Sequence, residues 1–181
     1  SVFIAKEETT HAVRLVTPVG SRLPAFAAAS GRAMLADRPE EDVRTLYEGS
    51  ELVTPTGRRL DGVDELLEIL RQARRRGYAE NLDETALGLH CLAVPVGPPG
   101  RVVASITFCV PTGRMSAARR REMIPDLLRA AREVIPFNDA NGSMGTRYAS
   151  RSPELIKSNK SRRLEGPATR RLPFNNRKVA R

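Results

Sequence analysis

LHCLAVPVGPPGRVVASITFCV, residues 89–110, is the stretch whose reading decides the fold. Residues 89–96 and 102–110 are apolar and rich in β-branched side chains, and they flank Gly97-Pro98-Pro99-Gly100, a turn that neither a helix nor a strand carries through. The reading is an antiparallel hairpin. Pairing Val96 with Val102 sets Cys91 opposite Thr107 and Leu89 opposite Cys109, with all four side chains on one face. Two thiols and a hydroxyl among apolar neighbours are the make-up of a small-ligand site. They are equally the make-up of a plain buried face in which Cys acts as a small hydrophobe. In this register the two cysteines are diagonal neighbours, roughly 7–8 Å apart, which is long for a disulfide. His90 and Cys91 are consecutive strand residues and point to opposite faces, which separates the one tempting nucleophile–base pair.

Working outward, residues 2–5 and 12–16 read as two further strands joined by a polar turn. Pro18 and Gly20 break the chain, and the Ala-rich run at 25–36 predicts a tightly packed helix despite Ser30-Gly31 inside it. Pro39 starts a short helix that stops at Gly49. Asp61 is placed to cap the next helix, whose Val63, Leu66, Leu67 and Leu70 recur at i, i+3, i+4, i+7 and which Gly77 ends. Arg74, Arg75 and Arg76 read as a solvated helix end, where cations suit the dipole, rather than as a phosphate site. Ser116 caps a last helix through Ile135, with Pro125 as a kink. Interleaved helices around an antiparallel strand pair predict an α+β fold.

Length and composition narrow the function. The 181 residues are 40% hydrophobic and 28% charged, the profile of a globular chain with one domain and room for a tail. No apolar run approaches the ~18–20 residues of a membrane span, and the first residues lack the apolar core of a signal peptide. Trp is absent and aromatics are scarce, which argues against a base-stacking platform. Two cysteines do not make a disulfide scaffold, and the spacing of His11, His90 and the cysteines does not suit zinc. Catalytic and cofactor motifs are missing: there is no G-x-S-x-G elbow, Walker loop or H-E-x-x-H, so neither a metal nor a cofactor is expected.

The formal charge of +9 is uneven: residues 1–136 hold 19 basic and 18 acidic residues, while 137–181 hold 11 basic and 3 acidic. The basic residues before 137 are Arg except for Lys6, whereas 137–181 bring three Lys and five Asn. That later stretch also carries Gly142-Ser143-Met144, Gly145-Thr146, Arg151-Ser152, Glu154-Leu155 and Leu164-Glu165, dipeptides that common restriction sites encode in frame. The expectation is two parts, 1–136 as the functional domain and 137–181 as a disordered or vector-derived basic tail. A natural nucleic-acid-binding arm is the alternative for the tail.

GSRLP at 20–24 with AAASGRAMLA at 27–36, and RRGYAENLDETALGLHCLAVPV at 75–96, resemble the effector-binding domain of the isocitrate lyase regulator (IclR) family of bacterial transcription regulators. The resemblance runs from residue 1 to about 135. It implies a GAF-like domain, an antiparallel sheet flanked by helices, that binds a small organic acid in the cytoplasm and assembles as a homodimer or homotetramer. It implies DNA binding only through a winged helix-turn-helix that this stretch does not contain, and an effector domain truncated at its start. Carried over residue by residue, Ala29 and Ser30 match positions whose backbone N–H groups hold a carboxylate, and Asn81 matches a position that is acidic in some members. Cys91, Thr107 and Cys109 match polar pocket positions, and Leu15, Leu23 and Leu89 match its apolar wall. Two other classes compete: nucleic-acid binding through the basic tail, and a small enzyme with Cys91 as nucleophile, which lacks a base within reach.

Overall fold

The structure, a computed structural model, describes residues 1–7, 17–138 and 144–147. The predicted strand at 12–16, with His11 and Leu15, lies outside the described residues. The chain divides after Tyr148, and every described residue precedes that boundary.

Three antiparallel strands form the centre: β1 (Ala79–Leu82), β2 (Leu89–Val96) and β3 (Ala104–Pro111), in that spatial order. The middle strand is buried on both faces, as its nearly unbroken apolar sequence requires. One face is covered by α1 (Ala29–Leu35), with α2 (Glu40–Tyr47) and α3 (Gly62–Arg76) closing a core of Val43, Leu66, Leu67 and Leu70 against Ala79, Leu89, Cys91 and Ala93. The other face carries α4 (Ala117–Glu133), whose Leu127 packs on Leu92 and Val94. A further hairpin pairs β4 (Ile135–Asn138) with β5 (Met144–Arg147), an element with no counterpart in the sequence reading.

The two prolines within the sheet cost it no hydrogen bond. Thr112 N–H donates to Gly88 O and Asp83 N–H to Leu89 O, so odd-numbered residues of β2 bond to β1 and even-numbered ones to β3. Pro95 therefore faces the β1 side beyond Ala79, where that strand has not begun, and Pro111 faces the outer side of β3.

Four expectations are corrected. The hairpin register is shifted by two: Val96 pairs with Ala104, Cys91 with Cys109, Ala93 with Thr107 and Leu89 with Pro111. The turn takes up Arg101, Val102 and Val103 because Asp37 accepts from Gly100 N–H at 2.8 Å and Val102 N–H at 3.0 Å, holding both out of the ladder. The first predicted strand is only a single bridge between Val2 and Arg22. The Ala-rich helix begins four residues late, at Ala29, because Pro24 O collects the N–H groups of Ala27 and Ala28 in a turn. At α3 the Asp61 side chain does not cap; Glu65 reaches back instead to accept from Asp61 N–H at 2.6 Å. Gly77, at φ +75°, ends that helix as expected. Ser116 does cap α4, its hydroxyl accepting from Arg119 N–H at 3.1 Å.

Candidate functional site

The cavity of interest lies between α1 and the face of the sheet that carries the cysteines. It measures about 230 Å3, and its lining brings together Leu23, Ala29, Ser30, Asn81, Leu89, Cys91, Thr107 and Cys109. These are eight of the nine residues that the resemblance implies for the site, and the ninth, Leu15, lies outside the described residues. Thr85, Ala86 and Ser21 also line it. Nothing in their spacing could have found them, because loops rather than a ladder bring them in.

Strand alternation builds the floor. Asn81 pairs with Cys91 and Cys91 with Cys109, so an amide and two thiols form one row across β1, β2 and β3. Thr107 sits one step along the same face, beside Ala93. The Cys91 thiol donates to Cys109 Sγ at 2.7 Å. Donation of that hydrogen bond, together with burial, pushes the Cys91 thiol far up, whereas receiving it brings the Cys109 thiol down against the effect of burial.

Asn81 is 2% exposed, and its two ends are treated differently. Its Nδ2 donates to Ala27 O at 2.8 Å and to Thr85 Oγ1 at 3.2 Å, which fixes the amide's orientation. Its Oδ1 is buried and has no hydrogen-bond donor among the described residues. An unpaired buried acceptor costs about 1–3 kcal/mol.

The roof is α1, and small residues let it come close. Ala27, Ala29 and Ala33 are buried, and a Cβ on Gly31 would lie 2.3 Å from the Cα and carbonyl oxygen of Ala25. A buried ion pair locks this arrangement. Arg32 donates through Nε to Phe26 O at 2.6 Å and through both terminal nitrogens to the Glu84 carboxylate at 2.6 and 3.0 Å. Arg58 completes the pairing of Glu84 from outside. Arg74 is exposed at the end of α3, as the sequence predicts, and also donates to Ala36 O at 2.6 Å and Arg38 O at 2.8 Å beyond the end of α1.

No charged side chain lines the cavity among the described residues. Polar recognition there falls to hydroxyls, thiols, the Asn81 carbonyl and the N–H groups of the first turn of α1, which have no intrahelical acceptor. His90 faces the opposite side, where its Nε2 meets Glu80 Oε1 at 2.6 Å, so among the described residues no histidine lies beside Cys91. Among the described residues no cluster of three or more His, Cys, Asp or Glu is placed to hold a metal.

This arrangement can be set beside known proteins. The family model "Bacterial transcriptional regulator IclR C-terminal" matches residues 1–135. The chain belongs to the IclR family. It is 35% identical over 134 residues to the HTH-type transcriptional regulator KdgR of Escherichia coli K12, covering 74% of this chain and 51% of KdgR. It is 35% identical over 135 residues to the transcriptional repressor IclR of the same organism, covering 74% of this chain and 49% of that protein. The chain thus spans about half the length of these curated relatives. The crystal structure of the C-terminal domain of E. coli KdgR superimposes with a TM-score of 0.58 at 37% identity, covering 63% of this chain and 70% of that one. A transcriptional regulator from Rhodococcus sp. RHA1 gives a TM-score of 0.67 at 27% identity, covering 72% and 54%. The IclR relatives are transcription regulators rather than enzymes, which removes the Cys91-nucleophile alternative. The chain has the α+β fold of an IclR C-terminal domain.

Proposed function

We propose that this IclR-family domain senses a small hydroxylated organic acid in the cavity beneath α1. The observation that carries the reading is Asn81 Oδ1, a buried acceptor with no donor among the described residues, in the wall of a cavity whose other polar groups are uncharged. A ligand hydroxyl would satisfy it. The ligand carboxylate would lie against the N–H groups of Ala29 and Ser30 in the first turn of α1, while Thr107 and the thiols orient the remainder and Leu23 and Leu89 exclude water. A volume of about 230 Å3 is below the about 300–1,000 Å3 of drug-sized pockets and selects for a small molecule. No bond is made or broken. In the whole regulator, a cytoplasmic homodimer or homotetramer that reads DNA through a winged helix-turn-helix, the acid acts by binding one quaternary arrangement better than another.

Thermal unfolding with matched pairs of acids tests this, for example propionate against lactate and succinate against malate. The hydroxylated member is expected to raise the melting temperature more, and Asn81→Leu should remove that difference while Thr107→Val weakens the response of both. Equal responses within every pair, or none to any acid, would reject the reading.

A further inference from the structure

Cys91 and Cys109 face each other across β2 and β3 in a position suited to covalent closure. The even-numbered residues of β2 carry the hydrogen bonds to β3, so this odd pair is a non-hydrogen-bonded one, whose Cα atoms lie about 4.5 Å apart. That spacing falls inside the about 4.4–6.8 Å range of disulfides. The Sγ atoms are 2.7 Å apart and need to approach to about 2.05 Å to bond. Both thiols are free and both line the cavity, so a small oxidant that enters it meets them. The chain has no third cysteine, which leaves no competing partner within it.

We propose that Cys91 and Cys109 are a redox modification site, converted by a hydroperoxide into one cross-strand disulfide in the cavity wall. The Cys109 thiolate attacks the peroxide O–O bond, forming a sulfenic acid and releasing hydroxide. The Cys91 sulfur then displaces the sulfenic oxygen, so that two thiols and one hydrogen peroxide give one disulfide and two waters. Cys109 is the attacking member because the hydrogen bond it receives favours its thiolate. Closure removes the S–H groups from the cavity wall; in that consequence, and only there, the inference rests on the sensing function proposed above.

The test uses the whole chain and no effector. After hydrogen peroxide and alkylation of remaining thiols, trypsin cleavage at Arg76, Arg101 and Arg114 separates the cysteines into peptides 77–101 and 102–114. The expected product is these two peptides linked, with loss of two hydrogens and recovery of both thiols on dithiothreitol. Cys109→Ser, and Cys109→Ala should the first variant fold poorly, is expected to abolish the link and leave Cys91 as a thiol or an oxygen adduct. Two thiols that stay alkylatable, oxygen addition to the wild type without a link, or links only between chains would overturn the proposal. Because the readout is covalent, a failed acid panel leaves this result standing, and a failed oxidation leaves the acid-sensing reading standing.

Discussion

At Gly31 a single hydrogen atom decides how closely α1 approaches the turn before it. A methyl group there would sit 2.3 Å from the backbone of Ala25, and backbone cannot swing aside as a side-chain tip can. Gly31→Ala is therefore expected to destabilise the domain despite alanine's better helix propensity, by about 1–3 kcal/mol for overpacking. Differential scanning calorimetry should read this as a fall of roughly 4–10 °C; an unchanged or raised melting temperature would contradict the close approach. Next to it, Arg32 and Glu84 are each 3% exposed at their side chains. Glu84→Gln would leave the Arg32 charge buried without its counter-charge, and the expected loss is about 3–5 kcal/mol by urea denaturation. Out of a total stability of about 5–15 kcal/mol, that is enough to unfold part of the population.

At the scale of elements, the hairpin shows what local sequence can and cannot carry. Its existence and the faces of its side chains were legible, because β-branched runs around Gly-Pro-Pro-Gly admit little else. Its register was not, since Asp37 holds the turn open from more than sixty residues away. The error was a slip of two, which preserves the alternation, so the pocket residues still gathered on one face although Cys91 met Cys109 instead of Thr107. The Ala-rich segment was legible as a helix but not in its start, which the Pro24 turn sets. The Arg32–Glu84 lock left no trace in spacing, because its partners lie on separate elements. On the far face, Arg120 of α4 reaches Glu80 of β1 at 3.0 Å, and His90 meets the same carboxylate oxygen. Burial raises the Glu80 pKa, but the hydrogen bonds from Arg120 and His90 outweigh it and hold the carboxyl below its ordinary 4.5. A depressed carboxyl pKa stabilises the fold above the unfolded value, and that contribution disappears as pH falls through the folded value. Between neutral pH and the acid limb, Glu80→Gln is thus expected to flatten the fall in melting temperature below about pH 4.5 relative to the wild type. An acid limb of unchanged slope would mean that the tie between α4 and the sheet contributes nothing.

The whole chain joins a nearly neutral part to a strongly basic one. Residues 1–136 balance 19 basic against 18 acidic side chains, so that part carries almost no net charge to draw it to a polyanion. Beyond them the balance is 11 basic against 3 acidic. Any affinity of this 181-residue chain for duplex DNA should then come from the later residues, through counterion release rather than base contacts. Such binding falls linearly in log K with log salt, with a slope of roughly −0.9 per phosphate neutralised, and is indifferent to sequence. Fluorescence anisotropy with two unrelated duplexes, across a salt series, measures both properties. The expected result is equal affinity for the two duplexes, a steep salt slope, and loss of binding when residues 149–181 are removed, with the melting temperature of the remainder held within about 2 °C. The cut falls after Tyr148, where the chain divides, and leaves α1 to α4 and the three-stranded sheet intact. Binding that survives the deletion, or that separates the two duplexes, would move nucleic-acid recognition into the folded part and give the IclR domain a surface that its charge balance does not predict.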